Sequence, residues 1–157
     1  MSKPTVTHDT FTLERVYDAS PARVFAAFSQ PELKSQWFNA PEEWGPDERT
    51  MDFRIGGRET SVGGPKGGPV HSFEALYQDI VPNQRIIYSY DMHIDSTRIS
   101  ISLTTIEFVA NGKGTRLTFT EQGAYLDGHD NPAERKHGTG ELLNALGAYL
   151  EKQSVAA

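Results

Sequence analysis

The feature that most constrains this chain is the two-residue alternation that runs through most of the stretch from His71 to Glu121. "HSFEALYQDIV" sets His71, Phe73, Ala75 and Tyr77 on one face, and "RIIYSYDM" does the same with Ile86, Tyr88, Tyr90 and Met92. "RLTFTEQG" repeats the pattern with Leu117, Phe119 and Glu121. Side chains along a strand alternate between two faces, so each segment reads as a strand with one face to cover. The connections "VPNQ" and "ANGKGT" are short and built of turn formers, which makes neighbouring strands antiparallel. An antiparallel sheet of this kind needs one face covered. The natural cover is the last segment, where Leu142, Leu143, Leu146, Tyr149 and Leu150 recur at helical spacing up to Glu151.

The start of that helix is marked by Asn131, Pro132 and Glu134, which match cap, first helical position and capping-box partner. Gly138 lies one turn before Leu142 on the same face. Its missing side chain lets the helix approach the sheet or leaves room for something between them. Gly140 is expected to bend or interrupt the helix.

Earlier in the chain, residues 1–9 are polar and expected to be mobile. "TFTLERVY" is a first strand, with Phe11, Leu13 and Arg15 on one side and Val16 breaking the pattern. Ser20 and Pro21 open a short helix with the stripe Val24, Phe25 and Phe28. Pro31 opens a second, with Leu33 and Trp37 four apart on one face. "RTMDFRI" alternates Met51, Phe53 and Ile55. "GGRETSVGGPKGGPVH", with six glycines and two prolines, reads as turns between short strands. "TRISISLTTIEFV" places Ile99, Ile101 and Leu103 on one face and Ile106 and Phe108 on the other, which predicts a bulge near Thr104–Thr105. The order is one strand, two short helices, about six strands and a long C-terminal helix. That is an α+β helix-grip arrangement, one domain over residues 1–157.

Charge and motifs remove several functions. The 157 residues carry 15 Lys and Arg against 21 Asp and Glu, a net charge of −6. With no basic cluster, nucleic acid is not an expected partner, and the paired short helices lack a basic recognition helix. No apolar run is long enough for a membrane span, and no signal pattern opens the chain, so a cytoplasmic location is the default expectation. The absence of cysteine removes disulfides, thiolate metal sites and cysteine nucleophiles. The glycine-rich stretch lacks the spacing of a phosphate loop, and neither Gly-x-Ser-x-Gly nor His-Glu-x-x-His occurs. His8, His71, His93, His129 and His137 are scattered. No metal site and no cofactor are expected.

Trp37, Phe38, Trp44, Phe53, Phe73, Tyr77, Tyr88, Tyr90, Phe119 and Tyr125 fall in the segments that should line or close the grip. An apolar pocket with a few polar groups is how small-molecule sites are built, and Tyr and Trp add hydrogen-bonding handles to such a wall. Gly138, Leu142 and Leu146 would supply the helix side. Glu121 stands out, because it follows Leu117 and Phe119 onto the covered face. Three readings are open. It reaches water at the rim of the sheet, it pairs internally with a Tyr or an Arg such as Arg15 or Arg58, or it projects into a cavity as anchor or acid/base group. In the last case burial would raise its pKa.

Four strings together resemble a known family. They are "LERVYDASPARVFAAFSQPELKSQWF", "FEALYQDIVPNQRIIYSY", "TRLTFTEQGAYLDG" and "GTGELLNALGAYLE". In order and spacing they are similar to the Hsp90-ATPase-activator-homologue (AHSA1-like) branch of the START/Bet v 1-like (SRPBCC) superfamily, over roughly residues 11–151. The resemblance implies a curved sheet gripping the C-terminal helix around a cavity. Relatives bind lipids, hormones, polyketides and other apolar molecules there, and some are cyclases or hydrolases. The eukaryotic namesake stimulates the Hsp90 ATPase with the help of a separate N-terminal domain, for which 157 residues leave no room.

The expected function is binding of a small, largely apolar molecule between sheet and helix. The alternatives are an enzyme of cyclase, hydrolase or isomerase type, using Glu121 with a Tyr or His71, and a protein–protein module, including a chaperone-linked one. Protein partners and self-association are left open by the sequence.

Overall fold

A computed structural model describes residues 3–156. Seven strands form one curved antiparallel sheet. They are β1 (Val6–Tyr17), β2 (Glu48–Met51), β3 (Arg58–Gly63), β4 (His71–Val81), β5 (Arg85–Ile94), β6 (Thr97–Asn111) and β7 (Gly114–Leu126). Between β1 and β2 lie α1 (Pro21–Ser29), α2 (Pro31–Lys34) and a single 3-10 turn at Glu42–Trp44. The long helix α3 (Pro132–Ala156) follows β7. The fold is the α+β helix-grip arrangement that the alternation predicts.

From β2 to β7 each strand lies beside the next, so the sheet grows by hairpins. Asn83, Asp95 and Gly112 take positive φ in the three turns from β4 to β7, a conformation that Asn, Asp and Gly tolerate best. β1 departs from this order. It pairs with β7 along its whole length, from Val6 opposite Leu126 to Tyr17 opposite Thr115. Val6–Asp9, expected to be loose, are therefore part of a strand; residues 1 and 2 lie outside the described residues. Val16 does not break β1 either. Phe11 and Tyr17 are buried, while Val16 points outward and is exposed.

The glycine-rich stretch holds one of the expected short strands, β3, whose Glu59 is buried. β2 stops at Met51, before Phe53, and Ile55 is exposed. No bulge occurs at Thr104–Thr105, because β6 pairs with β7 without a shift. The shift lies instead at Met92 and His93, between β5 and β6. As a result Ser100, Ser102 and Thr104 face inward, and Ile101 and Leu103 face outward, 38% and 39% exposed. The apolar parity misled the sequence reading because two of the inward polar side chains are there to serve polar partners, described below.

Ser20 caps α1 by accepting from the Arg23 backbone N–H at 3.3 Å. Asn131 caps α3 by accepting from Ala133 at 2.8 Å. Its own N–H donates to Asp130, not to Glu134 as a capping box requires. α3 runs through Gly140 uninterrupted. The inward pair here is Lys34, at the end of α2, and Trp37, in the turn after it, rather than Leu33 and Trp37. The apolar core joins Phe11 and Tyr17, the α1 stripe Val24, Phe25 and Phe28, Ile106 and Phe108 of β6, and Leu143, Leu146 and Leu150 of α3. Each such side chain contributes about 1.5–3 kcal/mol on burial. This core fixes the second half of α3 and leaves its first turns free to border a space.

Candidate functional site

That space is a cavity of about 580 Å³. Phe73, Tyr88, Tyr90, Met92, Ile99 and Phe119 give it a sheet wall, and Gly138, Thr139, Leu142 and Leu143 a helix wall. Phe28, Trp37, Phe38 and Trp44 close the side under α1, α2 and the 3-10 turn. The aromatic rings are locked by one another. Phe73 meets Tyr90 at 5.0 Å and Phe38 at 5.9 Å between centroids, and Trp37 meets Phe28 at 4.8 Å. The Trp37 indole N–H donates to the Ala27 carbonyl at 3.0 Å. At Gly138 a Cβ would meet nothing within 4 Å, so the missing side chain there leaves open room.

Among the sequence candidates, Trp37, Phe38, Trp44, Phe73, Tyr88, Tyr90, Phe119, Glu121, Gly138 and Leu142 converge on the cavity. Phe53, Tyr77, Tyr125 and Leu146 do not. Phe53 packs edge-on against Phe25 and Tyr77, and Leu146 is wholly buried in the core. Tyr77 turns its hydroxyl to Glu59, to which it donates a hydrogen bond. The Tyr125 ring covers Gly123, where a Cβ would come within 2.7 Å of it.

Glu121 is 2% exposed and lines the cavity. Its Oε1 accepts from Thr104 at 2.9 Å and its Oε2 from Tyr90 at 3.0 Å. Of the partners considered from the sequence, a tyrosine is used and Arg15 is not: Arg15 donates to Asn144 and to the Glu14 carbonyl. The cation beside Glu121 is Arg135, in the first turns of α3, with Nη1 at 3.8 Å from Oε2. Arg135 also donates to the Tyr90 hydroxyl at 2.8 Å, to Ser100 at 2.9 Å and to Asp130. A chain Arg135 → Tyr90 → Glu121 thus crosses from helix to sheet. Burial pushes the Glu121 pKa up. Arg135, Thr104 and Tyr90 pull it back in part, and the balance leaves it above the ordinary carboxylate range. Burial and Glu121 push the Tyr90 phenol well up, so it stays a donor.

Arg135 escaped the sequence reading, although a signal was present. Positions 135, 138 or 139, 142 and 146 share a helical face, so the stripe of Leu142 and Leu146 extends backward to it. A second buried ion pair was missed as well. Lys34 Nζ lies 2.8 Å from both oxygens of Glu59, with the two residues 4% and 7% exposed. Lysine and glutamate are rarely buried unless paired, and the two lie 25 positions apart, beyond any local pattern. Lys34 also sits 4.4 Å from the centre of the Phe38 ring and borders the cavity.

Comparison with known proteins agrees with this architecture. The family described as activator of Hsp90 ATPase homolog 1-like protein matches residues 18–151. A solved structure of a Rhizobium leguminosarum protein is 44% identical, covers 96% of this chain and 99% of its own, and superposes with a TM-score of 0.91. One from Rhizobium loti is 48% identical, with coverage of 92% and 99% and a TM-score of 0.87. One from Chromobacterium violaceum is 28% identical, with coverage of 90% and 96% and a TM-score of 0.76. No curated protein gives a significant sequence match. No helix among the described residues is long and apolar enough to cross a membrane. With its sheet, its gripping helix and the matched residues 18–151, the chain belongs to the AHSA1-like family of the START/Bet v 1-like (SRPBCC) superfamily.

Proposed function

We propose that the protein binds a small, largely apolar molecule in the cavity between the sheet and α3. The observation that carries this is the cavity itself, about 580 Å³ with aromatic and aliphatic walls and a polar cluster of Tyr90, Glu121 and Arg135. Its size falls within the range of ordinary ligand sites. Rings that pack on one another hold the space open without a ligand, which lowers the ordering cost of binding. Native mass spectrometry of the purified protein, followed by calorimetric titration with a matched apolar library, tests it. Substituting Gly138→Leu fills the open room and should abolish binding. A library with no binder, or equal binding by the Gly138→Leu variant, would overturn the proposal.

The chain Arg135 → Tyr90 → Glu121 supports a second reading, acid–base catalysis on a molecule held there. Glu121→Gln keeps the shape and removes the titrating group. With an identified substrate, unchanged turnover by this variant would rule Glu121 out as the acid or base.

A further inference from the structure

We infer that the cavity selects uncharged molecules, because every lysine and arginine bordering it is already held by a carboxylate of this chain. The inference rests on the ligand-binding proposal above and adds the chemical class. Lys34, Arg49 and Arg135 border the space. Lys34 is held by both oxygens of Glu59. Arg49 donates to Asp47 and Asn39 at 2.8 Å each, and to the Phe38 carbonyl. Arg135 is taken by Asp130, Tyr90 and Ser100, with Glu121 beside it. A carboxylate or phosphate entering the cavity would have to displace one of these partners. A buried charge left without a counterion is disfavoured far more than a lost neutral hydrogen bond.

A cation fares no better. Glu59, Asp47, Glu121 and Asp130 each face one of the three cations already named. Glu59 itself lies behind Lys34 rather than on the wall, and Glu134, the remaining carboxylate at the wall among the described residues, is exposed. What remains free is neutral hydrogen bonding. Each Glu121 oxygen accepts one hydroxyl and has a further lone pair. An alcohol or phenol O–H, on an otherwise apolar body, satisfies that group without adding charge.

The test is displacement of N-phenyl-1-naphthylamine, a neutral dye that fluoresces in apolar sites. The competitors are decan-1-ol, decanoate and decylammonium, which differ only in the head group. The assay runs at about pH 8.5, above the range of roughly pH 5 to 8 in which histidine ordinarily changes charge. Decanol should displace the dye at a concentration about tenfold or more below that of either ion. Displacement by either ion as strong as by decanol would overturn the inference. Two variants then turn the preference. Glu59→Gln takes the counterion from Lys34, and Asp130→Asn takes one from Arg135. In each, decanoate should gain about fivefold or more relative to decanol. No gain in Asp130→Asn, whose carboxylate lies in the loop before α3, would also overturn it, even if Glu59→Gln fails to fold. No dye binding to the wild type, or undiminished binding to Gly138→Leu, would instead overturn the ligand-binding proposal itself.

Discussion

At the scale of single residues, Glu121 has a measurable signature. Its folded-state pKa lies above the ordinary value, so the folded state holds this proton more tightly than the unfolded chain. Its contribution to stability is full below the unfolded pKa and declines as pH rises through the folded one. Glu121→Gln removes that decline. Between about pH 4 and pH 7 the melting temperature of the variant should therefore rise relative to wild type; a flat or falling difference would contradict the assignment. Asp47 shifts the opposite way, since its hydrogen bonds to Ser61 and Arg49 outweigh its burial, but it is common to both proteins and cancels. Gly123 gives another test. A methyl group there meets the Tyr125 ring, itself buried, and Gly123→Ala should cost about 1–3 kcal/mol in chemical denaturation. The sequence showed that Glu121 breaks an apolar row, but not why. Thr104, Tyr90 and Arg135 come to it from 17, 31 and 14 positions away, and no local spacing predicts such a meeting.

At the scale of elements, the hairpins and the long helix were legible because their signals are local: alternation, turn residues and a leucine stripe. The bounds of β3 were not, since glycines before it and Gly64 and Pro65 after it masked a strand whose inward residue is a carboxylate. The joint between α2 and β3 was hidden for the same reason. Lys34 and Glu59 make that joint, and the Tyr77 hydroxyl completes it. Lys34→Met strands a buried carboxylate and should cost about 3–5 kcal/mol, while adding Glu59→Met should restore most of that loss. Denaturation of the two single variants and the double variant measures the coupling directly. Gly138 marks the opposite case. A leucine there gains helix propensity of up to about 1 kcal/mol and meets open room, so Gly138→Leu should melt no lower than wild type. A variant that keeps its stability and loses binding would separate the helix's structural task from its role as a wall.

At the scale of the whole molecule, a bound occupant stabilises the fold by mass action. A dye held at about 100 times its dissociation constant adds about 2.7 kcal/mol. For a chain of this length that raises the melting temperature by roughly 5–11 °C. The shift should be absent in Gly138→Leu. The pairing of the first strand with the last has a different consequence, one of time. β1 is translated first, yet its partner β7 ends at Leu126, 120 positions after Val6. At about 5–20 residues per second, synthesis of that interval takes roughly 6–24 s. Throughout it β1 has neither its neighbour nor its helix cover, while the hairpins from β4 onward can already form. The sheet is therefore sealed only after its last strand is made, by its oldest strand, and the long loop this closes makes folding slower than hairpin growth alone would set.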